Sequence, residues 1–427
     1  MVSDAAPERA PVIVSHRRRR LLWHRDFGLL WTGETVSKVG SGATDVALPL
    51  VAVTTMHAGT FAIGVLGAAT WLPYLLVSLP AGAWVDRFDR RPVMVASNVT
   101  SAVLFLTVPV AAWLGVLHIG QLVVVAFCAG FAKVFFRTAF QAYLRTVVPR
   151  ERLAEGTAML QGSAAGAEVA GPGIAGLMAQ AFGAVSALLA DAVSFLFSTV
   201  CLLAIRSAEA PNADPRRNAG LFQRIADGLR YTARDPYLRT LTLYGSVGNL
   251  TVVSVQTLLV VFLIRVVGVG SATTGLLMAG MGAGGVAGAL LAGPLIRRLG
   301  SARTLLVCAA GATPFGLLVP LTDRGPRLLL FPLGLGVLGA GIVVGNVVGS
   351  SFRQAYCPPH LIGRVSAIVS LMVFGALPVG ALIGGAIGAA LGLRTALWVL
   401  CTALLLPTLV VVFSPISRLR ELPRGAP

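Results

Sequence analysis

The sequence predicts an all-α membrane protein of twelve transmembrane helices, arranged as two pseudo-symmetric six-helix bundles. Three observations carry that expectation. Hydrophobic residues make up 56% of the 427-residue chain and charged residues only 12%, about half the charged share of an average soluble protein. The basic residues collect in alternate loops, and two motifs recur at a constant offset.

Mean hydropathy is +0.82, and apolar runs of about 20 residues, enough to cross a ~30 Å hydrocarbon core as helices, recur from end to end. The spans read as 29–53, 60–85, 92–114, 119–142, 157–181, 184–205, 238–264, 272–296, 304–321, 328–352, 365–391 and 395–413. Loops after odd-numbered spans hold only Arg265, Arg324, Arg327 and Arg394. The termini and the other loops hold Arg9, Arg17–Arg20, Arg25, Arg87, Arg90, Arg91, Arg145, Arg150, Arg152 and more, up to Arg424. This asymmetry places both termini in the cytoplasm by the positive-inside rule. The net charge of +17 therefore reads as membrane retention, and nucleic acid is not expected as a partner. The five cysteines have no paired spacing, which gives neither a disulfide framework nor a zinc pattern.

The polar segment 207–236 separates six spans from six. "GAWVDRFDRR" from Gly82 pairs with "GPLIRRLGSA" from Gly293, each closing the second span of its half. "GPGIAG" from Gly171 pairs with "GALIGG" from Gly380, each in the fifth span. Both pairs lie about 210 positions apart, as an internal repeat requires. The expected organisation is a cytoplasmic tail (1–26), an N-terminal bundle (27–206), a cytoplasmic linker (207–236), a C-terminal bundle (237–413) and a second tail (414–427).

Taken in order, span 1 carries Glu34, Lys38 and Asp45 within about 40° of one another on a helix, with Ser41 on the same stripe. An ionisable side chain in hydrocarbon costs at least ~2.5 kcal/mol, so each needs a reason. Glu34 and Lys38 have i, i+4 spacing and could simply neutralise each other. Asp45 has no local cation, which favours a stripe facing an aqueous cavity. Span 2 ends at the charged loop Gly82–Met94. Span 4 carries Lys133, Arg137 and Gln141. Span 5 carries Glu168 three residues before Gly171 and Pro172. Span 6 carries Asp191, read as a packing residue. Span 7 has Thr242, Asn249 and Gln256 at heptad spacing; Asn249 and Gln256 suit either a cavity wall or interhelical glue. Span 8 has Gly280, Gly284 and Gly288, span 11 has Gly380, Gly384, Gly388 and Gly392, and each set forms one ridge of small residues. Span 10 has Asn346 and Ser350 leading toward Gln354. Spans 1, 4, 7 and 10 thus each present a polar stripe.

"GAWVDRFDRR" resembles the signature loop of the major facilitator superfamily, G-x-x-x-D-R-x-G-R-R, with Asp89 where glycine is usual. The resemblance runs over residues 20–415. "AGPGIAG" resembles that superfamily's Gly-Pro motif of helix 5. "ADAVSFL" (190–196) and "IADGLRYTARDPYLR" (225–239) are similar to its branch of macrolide-efflux and enterobactin-exporter-like drug:proton antiporters. The resemblance implies the major facilitator fold, a central cavity lined by helices 1, 4, 7 and 10, and a rocking interface of helices 2, 5, 8 and 11. Glycine ridges in spans 8 and 11 suit either tight packing within a half or sliding across that interface; sliding is the favoured expectation. The resemblance also implies that Gly82, Asp86, Arg87, Arg90 and Arg91 form a cytoplasmic gate, with Asp86 seated at the start of helix 11 near Arg364. The second copy has Arg297 in the place of Asp86, so only the first copy can latch in this way.

The deep charges are Glu34, Asp45 and Glu168 against Lys38, Lys133 and Arg137. Protonating one carboxylate would unbalance that set, and a carboxyl that gains a proton on one side of a membrane and loses it on the other is what proton coupling requires. Asp45 and Glu168 rank ahead of Glu34 as carriers, and Lys38, Ser41, Lys133, Arg137, Asn249, Gln256 and Asn346 are the expected cavity residues. No hydrolase, metal-ligand or phosphate-loop pattern appears, so neither an enzyme nor a cofactor is expected, and a proton gradient is the expected energy source. The expectation is a monomeric exporter of a small, largely apolar organic compound in the bacterial plasma membrane, with the bilayer, the cargo and protons as its partners. A siderophore exporter and a non-transporting membrane sensor are the alternatives.

Overall fold

A computed structural model of the chain describes residues 24–85, 87–206, 221–358, 361–423 and 425. Asp86, the N-terminal arginines through Arg20, the first part of the expected linker (207–220), His360 and Arg424 lie outside the described residues, and with Asp86 the central residue of the expected gate.

The first half comprises α1 (Arg25–Leu50), α2 (Thr60–Val85), α3 (Arg90–Trp113), α4 (Ile119–Val147), α5 (Leu153–Phe182) and α6 (Val185–Ala204). Helix α7 (Leu221–Arg234) lies in the expected linker. The second half comprises α8 (Pro236–Phe262), α9 (Ser271–Leu299), α10 (Ser301–Ala312), α11 (Leu330–Tyr356), α12 (Ile362–Leu391), α13 (Leu393–Ala403) and α14 (Leu406–Val412). Among the described residues, 11 helical segments are long and apolar enough to cross a membrane. The expected fifth span is the exception. Helix α5 has the length, at 30 residues, but Gln161, Glu168, Gln180 and many glycines and alanines dilute its hydropathy. Its packing accounts for much of this composition: α5 meets α1 and α9, and its buried residues are mostly small, among them Ala167, Gly171, Ala175, Gly176 and Ala179.

Prolines account for two further departures. The ninth span continues from α10 into a tight 3₁₀ stretch (Thr313–Leu318) with Pro314 in its first turn. The twelfth breaks into α13 and α14, with Pro407 in the first turn of α14. Proline suits a helix start and interrupts a helix interior. At the start of α8, Asp235 accepts hydrogen bonds from the Tyr237 and Leu238 amides at 3.0 and 2.8 Å and from the Tyr356 hydroxyl at 2.6 Å. The cap thereby ties the linker to the end of α11.

The helix contacts repeat between halves. Helix α1 packs on α5 and α6, and α8 packs on α12, α13 and α14; α4 packs on α2 and α3, and α11 on α9 and α10. Both α1 and α8 also run into a wide π turn, Val51–Thr55 and Leu263–Val267. The halves meet through α2 on α12 and α5 on α9.

The glycine ridges do not lie on that interface, contrary to the favoured expectation. A Cβ at Gly280 or Gly288 would come within 2.9 or 2.7 Å of Cα in Pro332 or Ala340 of α11, and one at Gly284 would enter the backbone of Gly336. Gly380 and Gly384 press likewise on Leu250 and Ser254 of α8, and Gly388 on Leu258, with Thr60 of α2 also beside it. These ridges join helices mainly within the second half. Contact between the halves uses other small residues: Gly64 against Gly385, Gly67 against Ala381, Gly176 against Gly275, and Gly282 against the carbonyl of Glu168. Gly171 packs inside the first half on Gly42, whereas the carbonyl of Pro172 meets Gly275 across the interface. Spacing of four defines a ridge but not its partner, because a helix of small residues offers several ridges.

The departure from the signature loop at Asp89 also has a structural reading. Asp89 precedes α3 in extended backbone, φ −61° and ψ 135°, which any residue adopts. Its second-half counterpart, Gly300, has φ +87°, where glycine is favoured. The first-half loop therefore turns without requiring glycine. Gly82 lies within α2, Arg87 and Arg90 flank the turn, and the guanidinium of Arg91 donates to the carbonyls of Leu202 and Leu203 at 2.9 and 2.6 Å. Arg91 thus binds carbonyls at the end of α6, where Leu202 also accepts from the Ile205 amide.

Candidate functional site

A cavity of about 810 Å³ lies within the first half, in the size range of sites for drug-sized molecules. Its lining runs from Leu48 of α1 and Ala126 of α4, deep in the bundle, to Arg145 near the end of α4 and Leu153 and Thr157 at the start of α5. It therefore opens toward the face where α1 begins and α6 ends, the terminal face. The opposite, far face is closed by contacts between the halves. Arg265 of the π turn after α8 donates to the carbonyl of Ala58 at 2.8 Å. The side-chain carbonyl of Gln180 in α5 accepts from the Ala272 amide at the start of α9 at 3.1 Å. Val260 and Val261 of α8 join the apolar cluster formed by the far ends of α1, α2, α4 and α6.

Helix α1 supplies Glu34, Lys38, Ser41 and Asp45 to one wall. Glu34 and Lys38 form an ion pair at 3.4 Å; the Lys38 side chain is 48% exposed and that of Glu34 10%. Asp45 is deep in the bundle yet exposed through the cavity, as are Lys133, Arg137 and Gln141 of α4 and Glu168 of α5. Arg137 also places its guanidinium 5.3 Å from the ring centre of Phe374 in α12. The same ring stacks on Tyr74 of α2 at 5.8 Å. This is one of the points where the cavity lining touches the second half.

The amides of α8 lie elsewhere. Asn249 donates to the Val373 carbonyl of α12 at 3.2 Å, and Gln256 to Met281 Sδ of α9 at 3.1 Å. Both join helices within the second half, and neither lines the cavity. Asn346 is exposed on α11 and is also absent from the lining. The cavity thus brings together Glu34, Lys38, Ser41, Asp45, Lys133, Arg137 and Glu168, and leaves out Asn249, Gln256 and Asn346.

Asp191 has more contact with the cavity than its sequence reading assigned. It is 1% exposed; Thr44 donates to one of its carboxylate oxygens and Ser194 to the other, the latter at 3.0 Å. A Cβ at Gly40 would strike this group, so glycine there lets α1 and α6 approach. Thr44 is adjacent to Asp45 and lines the cavity with it, so the α6 carboxylate anchors the turn of α1 that presents Asp45. Sequence reasoning also passed over Tyr74, Asn98, Ser101, Phe136, Phe140 and Gln161, which are part of the lining. Asn98 and Ser101 share a helical face by spacing, and so do Gln161 and Glu168; that periodicity was the available signal. Asn98 donates to Ser198 of α6 at 3.0 Å. Among the described residues, no three His, Cys, Asp or Glu side chains gather where they could hold a metal ion.

A family model described as transmembrane secretion effector matches residues 21–424. The chain is 29% identical over 397 residues to the multidrug efflux pump Tap of Mycolicibacterium fortuitum, covering 90% of this chain and 93% of that protein. It is 18% identical over 406 residues to macrolide efflux protein A of Streptococcus pyogenes, covering 94% and 98%. Among solved structures it is similar to a bacterial homologue of the iron transporter ferroportin in an inward-facing state. That match has a TM-score of 0.74 at 18% identity and covers 92% of this chain and 99% of that one.

Proposed function

The chain belongs to the transmembrane secretion effector family of the major facilitator superfamily, and from that membership we propose that it is a drug-efflux transporter, exporting a small, largely apolar organic compound by alternating access in antiport with protons. The efflux pumps among its relatives support the direction and the class of cargo. The observation that carries the mechanism is the pairing of a cavity open at one face with a closed far face. A carrier of this kind exposes one site to one side of the membrane at a time.

The arginine asymmetry orients the terminal face toward the cytoplasm of a bacterial plasma membrane, so this is the cargo-loading state. Cargo enters from the cytoplasm or the inner leaflet and packs against Phe136, Phe140 and Tyr74. The halves then rock about the α2–α12 and α5–α9 seams, breaking the contacts of Arg265 and Gln180 and opening the far face. Asp45 and Glu168 face the cavity without an ion-pair partner within 4.0 Å among the described residues. They suit groups that accept a proton when the cavity faces outward and release it when the cavity faces in. Glu34, held by Lys38, suits a fixed charge.

The test is accumulation of fluorescent drugs in a bacterial host that lacks its own major pumps. Expression of the chain lowers accumulation of at least one compound, a protonophore restores it, and Asp45→Asn or Glu168→Gln weakens the effect at equal membrane levels. Accumulation equal to that of empty-vector cells across a broad panel, with the protein present in the membrane, would rule out this reading.

A further inference from the structure

We propose that the cavity selects dipolar cargo: an aromatic body with a positive group at one end and a negative group at the other, bound between α4 and the wall formed by α1 and α5. The proposal rests on the export reading and narrows its cargo from a largely apolar compound to one whose apolar body carries both charges. The selectivity is argued from the cavity alone. The ionisable groups of the lining are segregated by sign. Helix α4 contributes Lys133, Arg137 and Arg145 and no acid; α1 and α5 contribute Glu34, Asp45 and Glu168. Lys38, the one cation on that second wall, is taken up by Glu34. Asp191 stands behind it, its two oxygens engaged by hydroxyls, and adds to the same sign.

These walls face each other. Helix α4 is packed on α2 and α3, whereas α1 is packed on α5 and α6, and α4 and α1 have few contacts. No acid among the described residues comes within 4.0 Å of Lys133 or Arg137. Asp45, Asp191 and Glu34 attract Lys133 across the cavity, but neither cation is closed into an ion pair, and both remain available to a ligand. The ring of Phe374 fixes Arg137 at the edge of the cavity. Phe136 and Phe140 of α4 and Tyr74 of α2 add aromatic surface to the same lining.

A ligand carrying one sign is attracted by one wall and repelled by the other. A neutral ligand must displace water from both walls without replacing its hydrogen bonds. A dipolar ligand satisfies both at once, and two such contacts in a half-buried site amount to roughly a tenfold preference in affinity.

The experiment uses the full-length protein in nanodiscs and four forms of one fluorescent scaffold at neutral pH. These are ciprofloxacin itself, a zwitterion with its charges at opposite ends; its ethyl ester, a cation; its N-acetyl derivative, an anion; and the doubly blocked neutral compound. Ciprofloxacin binds about tenfold more tightly than the doubly blocked compound and roughly threefold more tightly than either singly blocked form. Lys133→Gln with Arg137→Gln erases its advantage over the cationic ester, and Asp45→Asn with Glu168→Gln erases its advantage over the anion. The wild-type series is decisive even if a variant fails to fold. Equal affinities, tighter binding of any blocked form, or no binding of any of the four up to millimolar concentration overturns the proposal. Transport of the same series in liposomes separates the two readings. Preferential binding without movement removes export and leaves the site, whereas equal movement of all four removes the preference and leaves export.

Discussion

Replacing Arg265 and Gln180 with alanine together should unlatch the far face and move the protein toward its opposite state. The guanidinium of Arg265 reaches the Ala58 carbonyl at 2.8 Å, a charged hydrogen bond at an exposed site and so worth about 1 kcal/mol, below the usual range for charged donors. The Gln180–Ala272 bond, at 3.1 Å, adds a neutral contribution of about 1 kcal/mol. Both are made across the halves and exist only while the far face is closed. Their joint loss therefore shifts the balance between states by about 2 kcal/mol, or roughly 30-fold. Hydrogen-exchange mass spectrometry reads this without introducing cysteines. Exchange should rise in the far-face segments 50–64 and 263–276. It should fall in the terminal-face segments 143–157 and 361–370, because the halves rock as units. The reciprocal fall distinguishes a change of state from local fraying. Faster exchange at the far face with no change at the terminal face would refute the reasoning.

Three further outcomes follow from the same contacts. Gly284→Val forces a side chain into the backbone of Gly336 in α11 and should lower the melting temperature by several degrees in either state, with a cost of about 1–3 kcal/mol. Gly176→Val meets Gly275 across the halves; it should leave each half folded but shift hydrogen exchange toward the state with the far face open, as the Arg265 and Gln180 variant does. Tyr356→Phe removes the 2.6 Å hydrogen bond to Asp235. It should destabilise the protein to heat by about 1–2 kcal/mol, while Asp235→Ala, which also loses two cap bonds, costs more.

How far the sequence disclosed these features depended on the physical signal each one leaves. Hydropathy pointed to twelve spans because lipid imposes a long apolar run. It was weakest for α5, which packs on α1 and α9 through small residues. The repeat was legible because two motif pairs, one closing the second span and one within the fifth, share nearly the same offset, and the equivalence of Asp89 and Gly300 emerged from the same alignment. Charges inside α1, α4 and α5 pointed to the cavity because an ion in hydrocarbon needs a special reason to be there. An amide costs less than a charge and can satisfy itself on a neighbouring helix, so the stripe of Asn249 and Gln256 looked alike as wall or glue, and the contacts to Val373 and Met281 make it glue. Asp191 was classed with packing because its hydroxyl partners lie on α1 and on its own helix, a proximity that single-sequence periodicity does not encode. The glycine ridges were visible, but their partners were not, since a ridge of small residues fits any close neighbour. Helix α7 went unread as a helix, although the motif at 225–239 that overlaps it was legible, because the segment reads as a polar linker.

The central claim is that cargo leaves in exchange for protons through one cavity whose carboxylates face alternately inward and outward. The most direct test loads purified protein into liposomes containing a pH-sensitive dye and adds, on the side of the terminal face, a compound shown by the accumulation assay to be exported. Cargo movement should drive protons in the opposite direction in proportion to the amount moved, and Asp45→Asn combined with Glu168→Gln should abolish that proton movement. Cargo transport with no accompanying proton flux in the wild-type protein, or flux unchanged in the double variant, would contradict the account.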